Sequence, residues 1–149
     1  MFRKILAAVD GSKTARKAAG YAVELAGKLK AELILVNVID LSVLTARQYV
    51  AGKKSPTHLI EPIDDYLRQA AEAFMDGIEA LANEGKINLR RSIRSGKAAR
   101  EIIREAEDSG ADLIVMGSHG RKPISSMLLG SVALGVLSGT KIPTLIVRS

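Results

Sequence analysis

At 149 residues, with 47% hydrophobic and 26% charged side chains, the chain suits one ordinary globular core and is too apolar for disorder. It has no Cys, which excludes disulfides, thiolate metal sites and a cysteine nucleophile, and its two His, His58 and His119, lack metal-ligand spacing. A net charge of +6 favours anionic partners without choosing among them.

The opening FRKILAAV, residues 2–9, reads as a short buried strand ended by Asp10-Gly11-Ser12. Its apolar run, Ile5 to Val9, is shorter than the ~7–15 residues of a signal-peptide core. No segment approaches the ~18 apolar residues of a membrane span, so the expected location is the cytoplasm. Ala15, Ala18, Ala19, Ala22, Val23, Ala26 and Leu29 then recur at helical spacing, with Ser12 as N-cap. Leu33 to Ile39 is nearly continuous apolar sequence, as in a central strand covered on both faces.

The stretch from about 41 to 60 has no period and reads as an irregular, mobile loop. A long helix is expected to open near Pro62, with Ile63, Leu67, Ala70, Ala71, Phe74, Ile78 and Leu81 on one stripe. In INLRRSIR, Ile87, Leu89 and Ile93 alternate with Asn88, Arg90 and Arg94, the pattern of an exposed edge strand. GKAAREIIREAEDSG is an amphipathic helix stopped by Gly110, DLIVMG a further strand, SVALGVLSG a short helix and IPTLIVRS a last strand.

Strands and helices thus alternate from end to end. That order predicts an α/β fold, a single domain spanning 1–149, with an open five-stranded parallel sheet and helices on both faces.

Ligands of such sheets bind at the carboxyl ends of the strands, and Gly117 sits at one of them. A glycine there can adopt positive φ and let a ligand reach the backbone. Gly130-Ser131 opens a helix, whose first N–H groups form an anion site. The two glycine clusters are placed to hold one phosphate chain, with the hydroxyls of Ser118 and Ser131 as further donors. Spacing alone leaves plain turns open as an alternative, because neither G-x-x-x-x-G-K-[ST] nor G-x-G-x-x-G occurs.

GSHG at 117–120, nine residues, then Gly130-Ser131 resembles the G-x2-G-x9-G-[S/T] element of the universal stress protein family, in its ATP-binding branch. AVDGS, ELILVNVID, ADLIVMGSHG and IPTLIV resemble that family's strands, so the likeness covers essentially the whole chain. It implies a Rossmann-like fold of the adenine nucleotide alpha hydrolase type. It also implies ATP, or AMP or ADP, as ligand.

By the resemblance Asp10 lies by the ribose and phosphates, with Mg²⁺ where the nucleotide brings it, and Val38 meets the adenine edge through its backbone. Gly117, Gly120, Gly130, Ser131 and the Val132 N–H carry phosphates, and Ala8 and Met116 are wall residues. The structural alternatives are an N-cap role for Asp10 and plain core roles for Val38, Ala8 and Met116. His119 is as readily a packed or solvated loop histidine, and Arg121 and Lys122 a solvated basic loop. One departure is Ala98 in Gly96-Lys97-Ala98, where the family often has proline.

Seven basic residues and one acid, Glu101, fill Lys86 to Arg104. No aromatic interleaves them, so a solvated edge is favoured over a nucleic-acid surface. Neither a carboxylate pair nor an arginine finger accompanies Asp10 and His119, so the reading is a nucleotide-binding regulatory protein with an unidentified protein partner. The alternatives are a slow ATP hydrolase and a stress protein that binds no nucleotide. The apolar last strand, about 143–148, predicts a homodimer, which the resemblance also implies.

Overall fold

The computed structural model describes residues 1–42, 57–120 and 129–149. Most of the irregular 41–60 segment lies outside the described residues, as do Arg121 and Lys122. The elements are β1 Lys4–Ala8, α1 Lys13–Leu29, β2 Glu32–Ile39, α2 Thr57–Glu84, β3 Leu89–Ser95, α3 Ala98–Ser109, β4 Leu113–Gly117, α4 Ser131–Gly139 and β5 Thr144–Val147. The five strands form one parallel sheet in the order β3-β2-β1-β4-β5.

Alternate residues of the central strands feed two cores. Ile5, Ala7, Leu33, Leu35 and Val115 face α1 and α2, while Leu6, Ile34, Val36, Ile114 and Met116 face α3 and α4. Burial on both faces explains why β1, β2 and β4 read as unbroken apolar runs. Five buried alanines of α1, Ala15, Ala18, Ala19, Ala22 and Ala26, let that helix lie close to the sheet. The Ser12 hydroxyl caps it, accepting the Ala15 N–H at 3.1 Å. α3 stops at Gly110, which takes a left-handed φ of 72°.

The long second helix begins at Thr57, five residues before the expected start at Pro62. Pro62 removes only its own N–H from the helical ladder, so a helix can run through it near its first turns.

β3 is an edge strand, and its arginines are paired on both faces. Arg91 bonds Glu72 at 2.9 Å, Asp76 at 2.6 Å and Glu79, all on α2. On the other face Arg94 bonds Glu101 at 3.2 Å, Glu105 at 2.6 Å and Asp108 at 2.7 Å, all on α3. Glu105 also accepts the Ser92 hydroxyl at 2.7 Å and lies 3.6 Å from Arg90. Much of the charge that stood out as a basic run is therefore met by helix carboxylates. Of those acids Glu72, Asp76 and Glu79 come from sequence too distant to count in a local window, and Glu105 and Asp108 lie just past its end.

Candidate nucleotide cleft

With this strand order the chain leaves β3 at one edge and re-enters the sheet at β4, on the far side of β1. The carboxyl ends of β1 and β4 therefore flank a topological switch point. A cleft of about 520 Å³ opens there. Ala8, Asp10, Val38, Met116, Gly117, Gly120, Gly130, Ser131 and Val132 all line it. Every site residue expected from the sequence thus faces one space. Val36, Ala98 and Ile102 complete its apolar wall.

Asp10 follows β1 and is not the helix cap, a role that Ser12 fills. Its Oδ1 accepts the Ser12 N–H at 2.9 Å, which fixes the carboxylate across the turn at Gly11, where φ is 82°. Oδ2 lies 3.0 Å from where a Cβ on Gly120 would stand. The strand end and the glycine loop therefore meet directly.

Val38 owes its placing to ladder parity. Glu32 N–H bonds the Arg3 carbonyl and Val9 N–H bonds the Val36 carbonyl, both at 2.9 Å. Alternate residues of β2 thus turn their peptide groups toward β1, and Val38 is the next in that series. β1 has ended there. The Val9 carbonyl, which would take the following rung, instead accepts Asn37 Nδ2 at 2.7 Å. The Val38 N–H and C=O are left facing the place that β1 vacates. Asn37 is the one polar residue in the apolar run Leu33 to Ile39, and its position marks the end of β1 pairing.

Two expectations change. Gly117 does not need positive φ; among the described glycines that conformation occurs at Gly11, Gly96 and Gly110. A Cβ on Gly117 would stand 2.8 Å from Thr14 Cγ2, so what requires a glycine is the close approach of α1. Ser118 is also not an open donor. It is 1% exposed, and its hydroxyl pairs with His119 Nδ1 at 3.1 Å.

The Ser118 backbone ties three elements together. Its N–H bonds the Val147 carbonyl of β5 at 2.9 Å, and its carbonyl accepts the Gly130 N–H at 2.6 Å. A Cβ on Gly130 would come within 3.2 Å of that carbonyl.

Gly130 is the N-cap of α4 in an extended conformation, with φ −75° and ψ 167°, and offers no side-chain cap. The first-turn N–H groups of α4 lie beyond the reach of the helix's own carbonyls and border the cleft. Apolar walls, a fixed carboxylate, an open main-chain pair and a helix N-terminus make a receptor for a flat polar-edged group joined to an anion.

The universal stress protein family model matches residues 1–148. The chain belongs to the universal stress protein family. It is 33% identical over 148 residues to universal stress protein YxiE of Bacillus subtilis, covering 99% of this chain and 100% of that one. It is 34% identical over 156 residues to universal stress protein MJ0577 of Methanocaldococcus jannaschii, covering 99% of this chain and 96% of that one. The solved structure of MJ0577 superposes with a TM-score of 0.82 at 29% identity, covering 100% of this chain and 97% of that one. A universal stress protein solved in complex with cAMP matches with a TM-score of 0.70 over 99% of this chain and 97% of its own, at 20% identity, a likeness of fold alone.

Proposed function

We propose that the cleft binds an adenine nucleotide, ATP or its mono- or diphosphate. The protein then works in the cytoplasm as a regulatory stress protein whose nucleotide-bound state is read by a protein partner. One observation carries this reading: all nine residues expected from the glycine element and its strands line a single cleft at the switch point. Its volume, about 520 Å³, lies within the ~300–1,000 Å³ of small-molecule sites.

The residues fit the ligand. The base lies against Val36, Val38, Ile102 and Met116, with its donor–acceptor edge on the Val38 peptide groups. The phosphates lie between the 117–120 loop and the start of α4, where N–H groups and the helix dipole favour negative charge. Among the described residues there is no cluster of three or more side chains able to hold a metal. Mg²⁺ therefore enters as a complex with the nucleotide, and Asp10 is the protein oxygen placed to meet it. Calorimetric titration with ATP tests the reading. Saturable binding at micromolar ATP is expected, and absence of binding at millimolar ATP contradicts it.

Hydrolysis should be slow, well below the ~1–100 s⁻¹ of kinases. Among the described residues Asp10 and His119 are the polar groups at the phosphate end of the cleft that can take a proton. Asp10 Oδ1 accepts the Ser12 N–H and His119 Nδ1 pairs with Ser118, and among the described cleft residues neither a second carboxylate nor an arginine accompanies them. Steady-state phosphate release measures this directly. A turnover near 1 s⁻¹ that Asp10→Asn abolishes would place the protein among enzymes instead.

The protein pairs with its own copy through β5. This strand is the outer edge of the sheet and leaves Leu145 38% exposed. Parity again decides which groups are available. The Pro143 carbonyl accepts from Ile114 of β4 and the Val147 carbonyl from Ser118 just beyond it, so Thr144 and Ile146 turn their peptide groups outward. Ile146→Pro removes an outward N–H without breaking the internal ladder and should give monomers. Light scattering that finds the wild type monomeric at micromolar concentration would contradict the pairing.

A further inference from the structure

A second cavity, of about 210 Å³, adjoins the nucleotide cleft on the opposite face of the sheet. Leu67, Ala70, Ala71 and Phe74 of α2 form its outer wall, and Ile39 belongs to its floor. Asp10 and Val38 line both spaces. The two therefore meet at the point where β1 has ended and the Val38 peptide groups face open space. No element of the nucleotide reading uses this second cavity.

We propose that this cavity is a subsite for an apolar substituent on the exocyclic amine of the bound adenine, so that the protein accepts N6-monosubstituted adenine nucleotides. The inference rests on the proposed placing of the adenine edge at Val38. An adenine whose ring nitrogen N1 accepts from the Val38 N–H gives one amine hydrogen to the Val38 carbonyl. The second amine hydrogen points away from that pair, and we place it at the boundary that Asp10 and Val38 mark between the two cavities. Replacing it by an apolar group keeps the first bond intact. Replacing both hydrogens removes it.

The volume of the space suits one ring, and its outer wall is apolar, while Asp10 and Asn37 line its edge toward β1. A protein cavity of about 150 Å³ lined by aliphatic and aromatic side chains is large enough to take benzene. Phe74 is held in place from α1, where the Arg16 guanidinium lies 5.2 Å from its ring centre. Beyond Phe74 the helix packs down, with Met75, Ile78 and Ala82 buried.

The test is calorimetric titration of the full chain with ATP, N6-benzyl-ATP and N6,N6-dimethyl-ATP, repeated on Ala70→Trp. Ala70 is exposed on α2 and lines only the smaller cavity, so an indole there fills the space without entering the core. N6-benzyl-ATP should bind the wild type within threefold of ATP or more tightly, and the dimethyl compound at least tenfold more weakly. Ala70→Trp should lower N6-benzyl-ATP affinity at least tenfold and leave ATP within twofold. ATP binding with a tenfold or greater loss for N6-benzyl-ATP on the wild type overturns the subsite and spares the nucleotide reading. Equal losses for both ligands on Ala70→Trp also overturn it. If ATP itself fails to bind, the nucleotide reading falls and the subsite falls with it.

Discussion

Ser131→Pro should abolish tight ATP binding, with at least a hundredfold loss of affinity, while the ligand-free protein melts close to the wild type. Ser131 is the first residue of α4, the position where proline is best tolerated because its missing N–H has no partner within the helix. The residue before it, Gly130, is already extended at ψ 167°, the conformation that a following proline requires. The substitution therefore removes a main-chain donor and a hydroxyl from the phosphate site and leaves the helix start intact.

Ser131→Ala removes the hydroxyl alone. A hydrogen bond to a charged group contributes about 1.5–3 kcal/mol, or roughly ten- to a hundredfold in affinity. The order should be wild type, then Ser131→Ala, then Ser131→Pro. Calorimetric titration alongside thermal melts reads both properties. Unchanged affinity in a folded Ser131→Pro protein would mean that the α4 N-terminus does not hold phosphate. Gly130→Val is a poorer probe of the same site. Its Cβ is directed at the Ser118 carbonyl, so it would disturb the loop along with the ligand site.

The second large effect is on stability. Glu105→Ala should destabilise the fold by about 3 kcal/mol, the lower end of the range for breaking a buried ion pair by removing one partner. The lower end applies because Arg94 keeps Glu101 and Asp108 and its side chain is 23% exposed. For a domain of this size that is roughly 6–12 °C in the melting midpoint.

The same carboxylate sets an acid dependence. Burial pushes the Glu105 carboxyl up, but the Ser92 hydroxyl and the Arg94 and Arg90 guanidiniums outweigh it and hold the group below its ordinary value of 4.5. A carboxylate depressed on folding contributes stability that is complete above the unfolded value. That contribution is lost as pH falls through the folded one. Wild type should therefore lose stability below about pH 4.5, and Glu105→Gln should lose less over the same interval. Urea midpoints measured from pH 7 down to pH 3 give both slopes. Parallel slopes would remove Glu105 from the account.

The alternation of strands and helices was legible because it depends on local signals, whereas Ala8, Asp10, Val38 and Met116 entered the site through the family resemblance. Leu33 to Ile39 is apolar throughout because the strand is covered on both faces. Gly117, Gly120 and Gly130 mark the loop and helix start that border the cleft. Pairings between distant segments were not legible. Gly117 is small because of Thr14, about a hundred residues earlier in sequence, and no local window contains both. Arg91 and Arg94 read as free positive charge until α2 and α3 are placed on either face of β3. The smaller cavity lies between Leu67, Ala70, Ala71 and Phe74 of α2 and the end of β2, a feature of helix placement that an apolar stripe does not encode.

The central claim is that an adenine nucleotide occupies the switch-point cleft with its base at β2 and its phosphates at α4. A crystal structure of the protein grown with ATP tests it most directly. The account predicts the adenine edge on the Val38 N–H and C=O and the phosphates between residues 117–120 and the first turn of α4. A cleft holding only solvent at saturating ATP, or a nucleotide bound elsewhere on the surface, would contradict it.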